Sequence, residues 1–244
     1  MLKPLLDWVR RQAAARFVVL ARVLGITFRP SDFAADFASG RAGGVSHAFR
    51  HFATCVGLLL VVEGVFSLAF DTEFSDIVHH SFPVLVVLAS GVTVHLCLKL
   101  LLARSADLGL TSAAAYYVGG SALVVTFGVV FAVLAVDFAA HSAAVAQSPC
   151  RNRTIICILS GGRLAEYNVP PPARDGPGAS LPLVGLVLLA AALHYTHVFS
   201  TVLRTASGIA RWRSYVAVLA SVTILAPLSL LAINAIYRAL YAAP

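Results

Sequence analysis

The chain has 244 residues, of which 59% are hydrophobic and only 12% are charged, and its mean hydropathy is +0.86. Soluble globular domains carry about 25% charged residues, so this composition excludes a soluble core as the main architecture. The formal net charge is +7, and because Lys3 and Lys99 are the only lysines, 16 of the 18 cations are arginine. These cations lie beside apolar segments and outside any recognition-helix or zinc-finger motif. The sequence therefore favours an anionic membrane surface, and not nucleic acid, as their partner.

Residues 4–24 predict an amphipathic helix that lies in the plane of the lipid headgroups. Its apolar face consists of side chains that recur near helical spacing, namely Leu5, Leu6, Val9, Phe17, Leu20 and Leu24. Its basic, lipid-directed residues lie largely away from that face and are Arg10, Arg11 and Arg22. A helix packed on a bundle is the alternative. Residues 28–44 predict a second short helix, so the segment 1–51 as a whole is predicted to be cytoplasmic and interfacial.

Five apolar segments are long enough to cross a bilayer, which requires about 20 residues. These segments are residues 52–70, 82–103, 113–139, 181–203 and 214–236. The predicted fold is therefore all-α: a polytopic membrane bundle of five transmembrane helices over 52–236, preceded by the amphipathic helix and followed by a short outer tail over 237–244. In the third segment, Gly119 and Gly120 lie among alanine and serine, which predicts close helix packing.

The loop between the third and fourth spans, residues 141–180, has an organisation of its own. Two β-prone runs, TIICIL (154–159) and LAEYNV (164–169), flank a Ser-Gly-Gly-Arg sequence, and this pattern predicts a small β-hairpin. Cys150 and Cys157 belong to the same loop. On an oxidising side of the membrane they can form a disulfide, and the alternative is two free thiols.

The distribution of cations predicts the orientation, because cytoplasmic segments next to spans are enriched in lysine and arginine. The loop over 71–80 contains no lysine or arginine, whereas the N-terminal segment contains eight. The connections after the second and fourth spans are also basic, with Lys99, Arg104, Arg204, Arg211 and Arg213. We therefore predict a cytoplasmic N-terminus and an external C-terminus. The arginine- and alanine-rich composition, with two lysines, indicates a GC-rich bacterial source, so the predicted location is a bacterial inner membrane.

Four ionisable side chains within the spans are candidates for chemistry: Glu63, His95, His194 and His197. A carboxylate in hydrocarbon is costly, so Glu63 is either a proton-relay or ion-coordinating group, or it is hydrogen-bonded to a neighbouring helix. His95 and His194 each follow the start of their span by thirteen residues, which places the two imidazoles at similar depth. Two imidazoles can hold haem or a metal ion, but hydrogen bonds between helices are the simpler interpretation. We predict no metal, no cofactor and no catalytic residues.

Two connections of this chain resemble those of Yip1-domain membrane proteins. The segment VHLCLKLLLARS (94–105) is followed by a short turn and then by LTSAAAYYVGGSALV (110–124), and LRTASGIARWRSYVAVLAS (203–221) joins the last two spans. The similarity covers about residues 28–238. It implies a non-enzymatic role in organising the membrane or binding its components, since eukaryotic members act in vesicle traffic and engage small GTPases and one another. The implied partners are the bilayer and other membrane proteins or a second copy.

Two other functions remain compatible with the sequence. One is a transporter or channel component that uses Glu63 and a path lined by histidines. The other is a small membrane protein that binds haem or a metal ion through His95 and His194. The sequence contains no nucleophile elbow, no phosphate-binding glycine loop and no HExxH motif, so no motif of this kind supports either function.

Overall fold

The computed structural model describes residues 17–70, 77–102, 106–145 and 180–241. Within these residues the chain forms seven α-helices and no strands. The helices are α1 (Phe17–Phe28), α2 (Pro30–Ala38), α3 (Val45–Phe70), α4 (Ile77–Leu101), α5 (Leu108–Val145), α6 (Ser180–Ser207) and α7 (Arg211–Tyr241). The predicted β-hairpin, the cysteine pair Cys150 and Cys157, and the basic residues Arg10 and Arg11 lie outside the described residues.

Among the described residues, four helices are long and apolar enough to cross a membrane, over Val45–Val65, Pro83–Leu101, Leu108–Val136 and Pro182–Ser207. They correspond to the first four predicted spans, so the architecture is that expected of an integral membrane protein. The predicted fifth span lies within the 31-residue helix α7. That this fifth span crosses the membrane stays a prediction. Helix α7 continues to Tyr241, so it extends into the segment 237–244, which the sequence predicts to be a tail.

The outer surface of these helices is apolar. In the most apolar window of each candidate span, only 22% to 33% of the residues are buried inside the protein. Large side chains such as Leu100, Val136 and Leu193 are more than half exposed. Soluble monomers rarely expose so many large apolar side chains together, whereas such a surface is stable in contact with lipid chains.

Helices α4 to α7 form a closed ring, in which α5 packs on α4 and α6, and α7 packs on the same two helices from the other side. The helices alternate in direction along the chain, so each runs antiparallel to its two ring neighbours. Tyr195 on α6 reaches across the ring, and its hydroxyl donates to Ser90 Oγ on α4 at 3.2 Å. Helix α3 packs on the outside of the ring against α5, and α2 packs against α6.

The predicted close packing at the glycines of the third span is confirmed. A Cβ atom placed on Gly119 would collide with the side chain of Val87 on α4. A Cβ atom on Gly120 would lie 3.1 Å from the backbone Cα of Phe52 on α3. Small residues of this kind let neighbouring backbones approach, and that contact supplies the van der Waals attraction that holds helices together in lipid.

Basic residues gather at one end of the bundle, which we call the charged end. It is the end where α3, α5 and α7 begin and where α4 and α6 finish. Its described cations are Arg22, Arg29, Arg41, Arg50, Lys99, Arg204, Arg211 and Arg213. This end also holds Asp107, whose carboxylate accepts a hydrogen bond from the backbone N–H of Leu110 at 2.9 Å and so caps α5.

Helix α1 combines the two interpretations left open by the sequence. Val23 and Ile26 are 1% exposed, so one side of the helix packs on the charged end of the bundle. Phe17, Leu20 and Leu24, which belong to the predicted apolar face, are 42% to 70% exposed. The helix is therefore apolar on two sides. One side meets protein and the other remains available to the bilayer interface.

Candidate functional site

Glu63 lies on the face of α3 that packs against α5. The buried residues of α3 recur at helical spacing, from Ala48 through Phe52, Cys55 and Leu59 to Glu63. Glu63 itself is 4% exposed, so the carboxyl group lies between protein helices and is shielded from lipid. Burial of an ionisable group inside a bundle, and not on its lipid surface, is the arrangement expected in a membrane protein.

The three histidines predicted as candidates do not form a common site. His95 on α4 is half-buried, whereas His194 and His197 on α6 are exposed. His197 is bonded to α7, because its Nδ1 atom lies 2.5 Å from the hydroxyl oxygen of Tyr215. Among the described residues, no group of three or more histidine, cysteine or acidic side chains could hold a metal ion.

Tyr117 is the centre of an aromatic cluster beneath the N-terminal arm, by which we mean α1 and α2. The side chain is fully buried, and its hydroxyl donates a hydrogen bond to the carbonyl oxygen of Ala42. Phe33 and Phe37 of α2 meet the ring edge-on, with centroid distances of 5.4 and 6.2 Å. The guanidinium carbon of Arg22 lies 5.5 Å from the ring centroid, in the position of a cation–π contact. Tyr117 thus joins the arm to α5.

His51 extends this cluster into the bundle. Its ring centroid lies 5.2 Å from that of Tyr117, and its Nε2 atom lies 3.1 Å from Ser121 Oγ on α5. Cys55 Sγ, one turn further along α3, lies 3.6 Å from the same nitrogen. His51 is not among the site residues predicted from the sequence. Its only sequence signal is the spacing of four residues to Cys55, and that spacing does not reveal Ser121 as a partner.

A polar cleft of about 260 Å³ opens at the charged end between α2, α6 and α7. It is lined by Pro30, Ser31, His197, Ser200, Thr201, Arg204, Arg211 and Tyr215. Of these residues, only His197 was predicted as a site residue. Arg204 and Arg211 were assigned to the orientation signal alone, because a sequence does not show that they flank one cavity.

Two contacts organise the wall of this cleft on α7. Tyr215 is held by its bond to His197, and the guanidinium carbon of Arg211 lies 5.9 Å from the centroid of the Tyr215 ring. The opposite wall contains Ser200 on α6. Ser200 is fully buried, and its Oγ atom has no hydrogen-bond partner within the part of the chain that the structure describes. The cleft therefore combines exposed cations with a buried hydroxyl group.

Comparisons of this chain with protein-family models, with curated proteins and with solved structures each gave no match. The fold of the described residues therefore defines the class of protein, which is an α-helical protein with four helices long and apolar enough to span a membrane. The Yip1 resemblance stays a prediction from the quoted segments.

Proposed function

We propose that this chain is a non-enzymatic, five-span protein of a bacterial inner membrane that organises the membrane or binds other membrane components, in the manner implied by the Yip1 resemblance. The observation that carries the proposal is the tight contact between α4 and α5. A Cβ atom on Gly91 would lie only 2.5 Å from the backbone Cα of Ser112. At this contact no substrate fits between α4 and α5, which supports a bundle held by close packing.

The buried polar groups support the same role. His51 pairs with Ser121, Tyr195 pairs with Ser90, and Tyr117 donates to a backbone carbonyl. Hydrogen bonds of this kind between helices hold a membrane bundle together. Helix α3 packs chiefly on α5, and its exposed residues include Val61 and Val65. That outer face of α3 is the surface we assign to lipid, to another membrane protein or to a second copy.

The proposed topology gives the first test. We expect a tag at the N-terminus to be protected, and a tag at the C-terminus to be reached, when intact cells are probed from outside. The physical reason is the odd number of spans combined with basic flanks on the cytoplasmic side. Permeabilised cells are the control, since both tags must then react. Reaction of both tags in intact cells, or of neither, would exclude five spans.

A second candidate function is a transporter or channel component, and the observation in its favour is the buried position of Glu63. Under the proposed function, vesicles containing the purified protein should show no more proton or cation flux than protein-free vesicles, and Glu63→Gln should change nothing. An added ionophore checks that the vesicles are sealed and the dye responds. A flux in the wild-type protein that Glu63→Gln abolishes would replace the proposal with the transporter.

A further inference from the structure

We propose that the cleft between α2, α6 and α7 binds a phosphate group, and that an anionic phospholipid headgroup supplies it. This inference rests on the proposed function, because it names a membrane component that the protein binds. Three independent observations support it: the charge of the lining residues, the hydrogen-bond donors that line the cleft, and the position of the cleft at the charged end.

The charge of the cleft is positive. Arg204 on α6 and Arg211 on α7 line it, and none of its lining residues is acidic. Neither residue forms a salt bridge among the described residues. The ion pair found there joins Arg41 and Asp36. Arginine presents a planar fork of N–H groups that matches two phosphate oxygens, so a pair of arginines is well suited to this anion.

One side-chain donor among the described residues that line the cleft has no acceptor of its own. The Ser200 hydroxyl is fully buried and has no hydrogen-bond partner in the part of the chain that the structure describes, and a buried polar group left in this way is destabilising unless a ligand satisfies it. Helices α2 and α7 both begin at the cleft, at Pro30 and Arg211. The first N–H groups of a helix have no acceptor within it and carry a partial positive charge. Among the described residues no side chain caps α2. Because Pro30 has no N–H, the groups of this first turn that can bind an anion are the backbone N–H groups of Ser31 and Asp32, the second of which lies beside its own carboxylate.

The position of the cleft favours a lipid as the source of the phosphate. The cleft lies where α6 ends and α7 begins, at the charged end, which is predicted to face the cytoplasm. Trp212 is next to the lining residue Arg211 and is 58% exposed. Exposed tryptophan is enriched at the depth of the lipid headgroups, which is where a phospholipid phosphate resides.

Binding to the full-length protein in a neutral detergent tests the proposal. The probes are a short-chain phosphatidate, inorganic phosphate, and a short-chain diacylglycerol that has the same tails without the phosphate. We expect the phosphatidate to bind and the diacylglycerol not to bind. Arg204→Gln and Arg211→Gln should each weaken phosphatidate binding about tenfold, since each removes charge-assisted hydrogen bonds. Both residues are exposed, so neither change should prevent folding.

Arg50→Gln is the matched control, because Arg50 is an exposed arginine of the same end that does not line the cleft. It should change the affinity by less than about twofold. Phosphatidate binding far tighter than inorganic phosphate supports a lipid headgroup. Equal binding of the two supports the phosphate site and identifies free phosphate as its ligand.

Two outcomes would overturn the phosphate site: binding of neither phosphate probe, or an equal loss of affinity in Arg50→Gln and the cleft variants. These outcomes are distinct from a failure of the proposed function. A flux that depends on Glu63, or tags on one side of the membrane, would leave the measured phosphate affinity and its dependence on Arg204 and Arg211 unchanged.

Discussion

Replacing Gly91 by alanine is expected to lower the melting temperature of the detergent-purified protein by about 10 °C. The new Cβ atom would lie 2.5 Å from the Cα atom of Ser112 and 3.0 Å from its Oγ atom. The nearest obstacle is backbone, which cannot rotate away as a flexible side chain can. Helices α4 and α5 must therefore separate, and the neighbouring contact of Gly119 with Val87 weakens with them. Thermal unfolding monitored by size-exclusion chromatography measures the effect.

Gly128→Ala is the matched control for this prediction. Gly128 lies on α5, and nothing approaches within 4 Å of the position that its Cβ atom would occupy. An alanine there removes a flexible residue from a helix without a collision, so the melting temperature should stay the same or rise slightly. Equal melting temperatures for the Gly91 and Gly128 variants would contradict the close approach of α4 and α5.

Replacing Tyr117 by alanine is expected to destabilise the protein by about 4 kcal/mol and to detach the N-terminal arm. The change removes the ring that meets Phe33, Phe37 and His51, and it also removes the hydrogen bond to Ala42. Limited proteolysis measures the detachment, because cleavage in the linker over residues 39–44 should become faster. The melting temperature reports the loss of stability.

The variant Tyr117→Phe separates the contribution of the Tyr117 ring from that of its hydroxyl. Tyr117→Phe keeps the ring but leaves the buried carbonyl of Ala42 without this donor, which is expected to cost about 1–2 kcal/mol. Tyr116→Phe is the control. The neighbouring Tyr116 ring stacks on Phe52 at 5.8 Å, and this contact survives loss of the hydroxyl. A Tyr116→Phe protein that loses its arm as readily as Tyr117→Ala would show that Tyr117 does not hold it.

The agreement between sequence and structure is best where the physics is local. An apolar run of about 20 residues has one low-energy conformation in lipid, an α-helix that satisfies its own backbone hydrogen bonds. For this reason the first four predicted spans reappear as α3 to α6, with ends that shift by a few residues. Gly119 and Gly120 were also interpreted correctly, because a missing side chain in a span predicts a close neighbour without naming it.

The agreement is poorest where side chains far apart in the chain meet. His51 pairs with Ser121 seventy positions later. The residues that line the cleft come from segments as far apart in the chain as Pro30 and Tyr215. In both cases, the local composition around one residue does not indicate which distant residue it will meet. The two sides of α1 illustrate the same limit, because Val23 and Ile26 are apolar residues like Phe17 and Leu20, and only the packed bundle shows which pair is covered.

By itself, the sequence determined that the chain forms long apolar helices, that these helices are compatible with a lipid environment, and that basic residues flank them. Those properties follow from hydrophobicity and backbone hydrogen bonding, which act within one segment. Only the tertiary structure decided that Tyr117 anchors the N-terminal arm and that Arg204, Arg211 and Ser200 share one cleft. The reason is that helix packing depends on the shapes of two surfaces at once, and neither surface alone specifies its partner.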